Sequence, residues 1–196
     1  MKALFFLTMI TGLLMTDDSG WKKEYDKNGV RIYTRNAEGS SVKEYRGVVD
    51  VKAGVETCVD HLKDLEKFSK TSYKTTDAEI IKSTSDSEWI LYCVVDFPWP
   101  YTDRDMVAKY KRYNLGNGIV KVKFYTVSGY VSEKEDYERM QNLSGSWLFE
   151  PLTEYTTRIT HESKTPADGF PAWIVNMFIL DAPKHIMPSF RTAVEK

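Results

Sequence analysis

Residues 97–107 read Phe97-Pro98-Trp99-Pro100-Tyr101-Thr102-Asp103-Arg104-Asp105-Met106-Val107. Pro98 and Pro100 bracket Trp99 and remove two backbone donors. Each also biases its predecessor away from the helical region, so an extended, rigid corner is expected here. Asp103 and Asp105 flank Arg104, and a local network of caps and ion pairs is expected among the three. A segment this dense in proline and short acids serves geometry. Pro98, Trp99, Pro100, Asp103, Arg104 and Asp105 are therefore read as a clamp joining two strands, against a competing reading of Arg104 as a ligand contact.

The flanks are strand-like. Glu88–Phe97 precedes the corner and Asp105–Tyr113 follows it, both rich in β-branched and aromatic residues. Further outward lie Val30–Arg35, Tyr45–Val51, Asp77–Ser83, Ile119–Ser128, Gly145–Glu150 and Thr156–Lys164, all of the same kind. Asp26-Lys27-Asn28-Gly29 and Leu115-Gly116-Asn117-Gly118 mark tight hairpin turns. Two segments break the strand pattern. Val55, Cys58, Val59, Leu62 and Leu65 recur at helical spacing within Gly54–Phe68. Val175, Phe178, Ile179, Ala182, Ile186, Phe190 and Ala193 do the same at the C-terminus, where Pro183 and Pro188 are expected to kink or break the helix near residues 182–188. The layout is two strands, a helix, about six strands and a long C-terminal helix. Short connections make the sheet antiparallel and the class α+β.

The chain has 196 residues, a length that suits one domain with a sizeable core. Lys and Arg total 27 against 28 Asp and Glu, for a net charge of −1, which argues against nonspecific nucleic-acid binding. Two cysteines, Cys58 and Cys93, are too few for a disulfide framework and read as buried thiols, although export would permit their pairing. Met1-Lys2 followed by the uncharged run Ala3–Met15 and then Asp17-Asp18 has the layout of a secretory signal peptide. Residues 1–16 are thus expected to be a signal peptide and 17–196 one exported domain. No later segment is long enough to span a bilayer.

Period-two alternation assigns the inner wall. In Ile119–Ser128, Val120, Val122 and Phe124 oppose Lys121, Lys123 and Tyr125. Faces without lysine are taken to point inward, so Met106, Tyr110, Val122 and Phe124 are candidate lining residues. Tyr92, Trp147, Phe178 and Ala182 complete the candidate ligand-binding set. A filled core remains the competing reading of the same residues. His61, His161 and His185 are scattered without metal-ligand spacing, and no nucleophile elbow or phosphate loop occurs, so no catalytic residue, metal or cofactor is assigned.

Trp21, the run Asn28-Gly29-Val30-Arg31-Ile32-Tyr33-Thr34-Arg35, the Phe97–Val107 stretch, Gly145-Ser146-Trp147-Leu148-Phe149-Glu150-Pro151-Leu152 and Gly169-Phe170-Pro171-Ala172-Trp173-Ile174-Val175-Asn176 together resemble the START (StAR-related lipid-transfer) domain, in particular its single-domain exported bacterial members. The resemblance spans residues ~21–195. It implies a helix-grip fold, a curved antiparallel β-sheet wrapped around a long C-terminal α-helix with an internal hydrophobic cavity. It further implies one lipid or other hydrophobic small molecule as the partner, a gate formed by the C-terminal helix and a neighbouring loop, and a periplasmic location. Transient membrane contact and a monomer are expected. Sterol-binding members place a buried acid–arginine pair on two of these strands, but here Tyr110 stands at the arginine position and Leu91 near the acid position. The charged run Ser132–Arg139 falls where the family has a loop beside the tunnel mouth, and is read as gate, docking loop or solvated connection. Two other functions stay open at this point: a cyclase- or hydrolase-like enzyme using Tyr110 or His161, and an interaction module with a filled pocket.

Overall fold

The computed structural model describes residues 20–167 and 169–196, so the signal-peptide expectation for residues 1–16 lies outside the described residues. The order is β1 (Lys22–Lys27), β2 (Val30–Asn36), β3 (Lys43–Val51), α1 (Val55–His61), α2 (Leu65–Thr71), β4 (Thr75–Ser85), β5 (Glu88–Val95), β6 (Arg104–Gly116), β7 (Ile119–Thr126), β8 (Glu138–Arg139), β9 (Ser144–Thr153), β10 (Thr156–Lys164), α3 (Ala172–Phe178) and α4 (Asp181–Val194). One sheet runs β1-β2-β3-β10-β9-β7-β6-β5-β4, antiparallel throughout, with β8 added in parallel to β6. This is the helix-grip fold. Asn28 and Gly29 at φ 52° and 74°, and Asn117 and Gly118 at φ 50° and 74°, close the two hairpins with the positive dihedrals a twisted two-residue turn requires.

α4 lies on the inner face. Pro183, Met187, Phe190 and Val194 are its buried residues, one stripe at i, i+4, i+7 and i+11. A Cβ built on Gly47 of β3 would stand 2.7 Å from Met187 Cγ, so the absent side chain at 47 lets the helix seat this closely. Phe149, Ile159, Val49 and Ile32, all fully buried, complete the contact from the sheet side.

Several expectations change. The helix read over 54–68 is two helices. Leu62 N–H turns back to Val59 O at 3.1 Å, and the Asp64 carboxylate caps α2 by accepting from Lys67 N–H at 3.2 Å. The C-terminal helix breaks at Ile179–Leu180, one turn before the 182–188 region expected. Pro183 offers no N–H to Ile179 O and its ring crowds that carbonyl, so the break falls four residues upstream of the proline. α4 then continues through Pro188, whose carbonyl accepts from Thr192 Oγ1 at 3.0 Å. β1 was not anticipated, because Lys22–Lys27 is mostly exposed and shows no alternation. Cys58 and Cys93 are separate buried thiols, each pushed up to about 12 chiefly by burial.

Candidate functional site

The corner after β5 is a tight turn, not the extended segment expected. Tyr101 N–H donates to Pro98 O at 3.1 Å across a cis Trp99–Pro100 peptide. Asp103 Oδ1 accepts from Phe97 N–H at 2.9 Å and ties the turn to its own base. The motif's other two charged residues, Arg104 and Asp105, pair with β8. Asp105, buried, accepts from Arg139 Nε at 2.6 Å and Nη2 at 2.9 Å, and Arg104 Nη2 donates to Glu138 Oε2 at 2.9 Å. The expected network within residues 103–105 is therefore a crossed pair between two strands, which the parallel register Arg104↔Glu138 and Asp105↔Arg139 sets up. The charged run Ser132–Arg139 is accordingly anchored through Arg139, which also donates to the carbonyls of Val131 and Ser132.

Behind this corner, between the ends of β5, β6, β3 and β10 and the helices α3 and α4, lies a cavity of about 380 Å³. Small-molecule sites run from about 300 to 1,000 Å³. Val95, Phe97, Met140, Phe170, Ile174 and Phe178 give it an apolar wall. Its polar groups are few. Tyr45, Arg104, Thr165 and Asp181 line it, with the Lys74–Asp96 ion pair at 3.6 Å. The Arg104 guanidinium carbon lies 4.6 Å from the Phe170 ring centroid and 5.2 Å from that of Phe97. Tyr101 meets Phe170 edge-on at 4.8 Å, so the segment leading into α3 is held down on the corner by aromatic contacts. α3 is also tied to the β2–β3 connection: Asn176 Oδ1 accepts from Lys43 N–H at 2.7 Å, and Asn176 Nδ2 donates to Ser41 O at 2.9 Å.

Tyr45 leads from the cavity into the core. Its hydroxyl meets His161 Nε2 at 2.9 Å, and His161 Nδ1 meets Ser146 O at 3.2 Å. Trp147 stacks on the imidazole at 3.8 Å between centroids. Burial pulls His161 down to about 3, and pushes the Tyr45 phenol well above its ordinary value, with a smaller opposing effect from the Ser163 hydroxyl. His161 is thus a neutral imidazole with a set orientation.

The predicted lining residues divide three ways. Phe178 and Ala182 line the cavity. Met106, Tyr110, Val122, Phe124 and Trp147 do point inward, but they are packed in the core, away from the cavity wall. Tyr110 stacks between Trp89 at 5.2 Å and Phe124 at 5.3 Å, and Trp147 packs against Phe190 of α4 at 5.1 Å. Tyr92 corrects the face rule: it lies on the opposite side of the sheet with Ile90, Val94 and Val107. Val127, Val131 and Tyr137 cover that side, so β5 is apolar on both faces and lacks the lysines that marked the outside of β7. Arg104, read as a clamp, is both clamp and wall. Tyr45, Phe97, Met140 and Phe170 were missed as lining residues. For Tyr45 the signal was its place on the inward face of β3 with Gly47, Val49 and Val51. Among the described residues no cluster of His, Cys, Asp or Glu suits a metal ion, and no helix is long and apolar enough to cross a membrane.

No family model matches the chain. An uncharacterized protein of Pseudomonas aeruginosa is 30% identical over 188 residues, covering 95% of this chain and 92% of that protein. Rat phosphatidylcholine transfer protein is 24% identical over 182 residues, covering 87% of this chain and 79% of that protein. The crystal structure of a STAR-related lipid transfer protein fragment from Xanthomonas axonopodis superposes with a TM-score of 0.83 at 26% identity, covering 90% of this chain and 99% of that one. With the grip fold and these relatives together, the chain belongs to the START domain family.

Proposed function

We propose that this protein carries or sequesters one lipid-like apolar molecule in the cavity under α3 and α4, and that α3 with the start of α4 is the gate. The observation that carries this is an apolar, partly enclosed space of about 380 Å³ under a lid segment whose hydrophobic side is unburied. α3 has no buried residue, and Trp173, Met177 and Phe178 are 65%, 61% and 50% exposed. Trp99 on the proline corner is 92% exposed and Tyr101 41%. Exposed aromatics clustered at the mouth of an apolar cavity suit brief contact with a bilayer interface, where Trp and Tyr rings are favoured. Affinity would come from burying hydrocarbon, at roughly 0.8 kcal/mol per CH₂. The names of the Xanthomonas and rat proteins, both transfer proteins, support the same reading. The layout of residues 1–18 supports export to the periplasm, the compartment we propose for this activity.

The break at Ile179–Leu180 supplies a hinge, and the Asn176 contacts to Lys43 and Ser41 supply the latch. The test is a Ser41→Cys/Asn176→Cys pair assayed for movement of a fluorescent phospholipid between vesicles. Transfer that stops on oxidation and returns on reduction supports the gate. Unchanged transfer in the demonstrably cross-linked protein removes it.

A further inference from the structure

We propose that the β6–β7 hairpin docks on an anionic bilayer surface, with Leu115 and Tyr113 entering the interface and Lys111, Lys121 and Lys123 meeting phospholipid headgroups. The contact is separate from the aromatic rim of the cavity. It goes beyond the carrier reading, because it holds whether or not the cavity is filled.

The outer face of the sheet divides by charge. On β2, β3 and β10 three arginines each meet the carboxylate directly opposite in the register: Arg35 pairs with Glu44, Arg46 with Glu162 at 2.6 Å, and Arg158 with Asp50 at 2.8 Å. On β6 and β7 the lysines outnumber their partners. Lys109 and Lys111 share Glu88, at 2.6 and 4.0 Å, and Lys121 and Lys123 make no ion pair among the described residues. Lys111 and Lys123 are register partners, two like charges directly opposed, which costs stability in a sheet. Both ammoniums lie 5.6 Å from the Tyr113 ring centroid, so they converge on one spot of the face. The same face matches its charges across β2, β3 and β10. A surplus kept on the hairpin against the interest of the fold answers to something outside the chain.

The tip indicates what that is. Leu115 is 56% exposed at the end of the hairpin, Tyr113 is exposed beside it, and Tyr125 is exposed opposite Lys109. A nucleic acid or another soluble polyanion answers the lysines and leaves Leu115 in water. An anionic bilayer answers all three residue types: hydrocarbon for the leucine, the interfacial layer for the tyrosines, and charged headgroups for the lysines. With a net charge of −1 the chain as a whole is not drawn to such a surface, so the hairpin supplies the attraction. Arg104, at the start of β6, lines the cavity, and Leu115 lies eleven residues further along the same strand. That is about 35 Å of strand at roughly 3.3 Å per residue. A chain docked through the hairpin therefore keeps the mouth of its cavity clear of the surface it rests on.

Cosedimentation of the protein with vesicles reads the contact. One set is phosphatidylcholine alone, and the other is phosphatidylcholine mixed equally with phosphatidylglycerol. The wild-type protein is expected to bind the mixed vesicles at least about tenfold more tightly, and to lose that margin as salt rises to about 0.5 M. The triple variant Lys111→Gln/Lys121→Gln/Lys123→Gln should lose the preference, at roughly fivefold per lysine, while Lys111→Arg/Lys121→Arg/Lys123→Arg keeps it. A dye sensitive to polarity, attached at Leu115→Cys, should shift to the blue on the mixed vesicles alone. Equal binding of the wild-type protein to the two vesicles overturns the proposal, and this comparison needs no variant. A preference that survives the glutamine variant overturns it too, since the charge is then read elsewhere. Binding to heparin without binding to vesicles, or vesicle binding without a dye shift at 115, removes the bilayer as the partner of the tip. None of these failures touches the carrier reading, which rests on the cavity and is tested there.

Discussion

The space between the sheet and the C-terminal helices has two halves, both rich in aromatic residues and differently packed. In one half Trp89, Tyr110, Phe124, His161 and Trp147 stack in succession, and Phe190 of α4 closes on Trp147 and Phe149. In the other, Phe97, Phe170, Ile174 and Phe178 surround space. Both halves are aromatic and both face inward. The difference lies in the helix above them: α4 is pulled against the sheet where Gly47 allows Met187 to seat, whereas α3 stands off beyond the break at Ile179–Leu180. Aromatic residues between sheet and helices thus make a core where the helix packs down and enclose a cavity where it stands off.

Substitutions separate the halves most strongly at the two phenylalanines. Phe190→Ala is expected to cost about 3–5 kcal/mol in urea unfolding, because a large buried ring leaves a void in close packing. Phe178→Ala, at a half-exposed position, should cost less than about 1 kcal/mol. Comparable losses would break the contrast. A smaller effect follows from pH. His161 and His61, both buried, are held neutral at about 3 and about 4, below the 6.5 of a free imidazole. The unfolded chain takes up those protons first, so stability is fully present above pH 6.5 and falls as pH drops toward these values, by about 1.4 kcal/mol per unit for each residue. Carboxylates held low by arginine partners, such as Asp50 beside Arg158, add to the fall only at lower pH. The urea midpoint should therefore decline between pH 6.5 and 5, and less steeply in His61→Gln. A flat profile there would mean that these imidazoles are not neutral in the folded state.

Gly47→Ala sharpens the contrast by lifting α4. Its new Cβ meets the Met187 side chain, and a loss of about 1–3 kcal/mol is expected in thermal or urea unfolding, recovered in part by Met187→Ala. Wild-type stability in Gly47→Ala would show that the helix is not seated so closely. The smallest change in stability is expected at the rim. Trp99→Ala and Trp173→Ala should stay within about 0.5 kcal/mol of wild type, while vesicle-to-vesicle transfer drops severalfold. A rim variant that loses stability and keeps transfer would reverse the assignment of these residues.

The strands were legible because alternation survives wherever one face meets water. β7 shows this best: Val122 and Phe124 are buried while Lys123 and Tyr125 are exposed. β5 failed the same test, since the 127–137 segment covers its outer face and Tyr92 reads like an inner residue. The proline corner was legible as a clamp, but its partners on β8 were not, because Glu138 and Arg139 form a two-residue strand inside a charged run. Phe178 and Ala182 share their helical face with Phe190, yet they line the cavity while Phe190 packs in the core, a division that periodicity does not report. Tyr110, Phe124 and Trp147 were placed on the correct face, and no local pattern reports whether a helix packs onto that face or stands away. The Tyr45–His161 contact joins residues 116 apart in sequence, through register across β3 and β10, and only the assembled sheet brings it into being.

Native mass spectrometry of the purified protein, paired with analysis of its organic extract, addresses the cavity itself. A complex with one amphiphile per chain, recovered in the extract and released when the protein is unfolded, is the expected result. A chain that flies empty, and whose melting temperature no lipid or single-chain amphiphile raises, would show that the space under α3 is not a binding site.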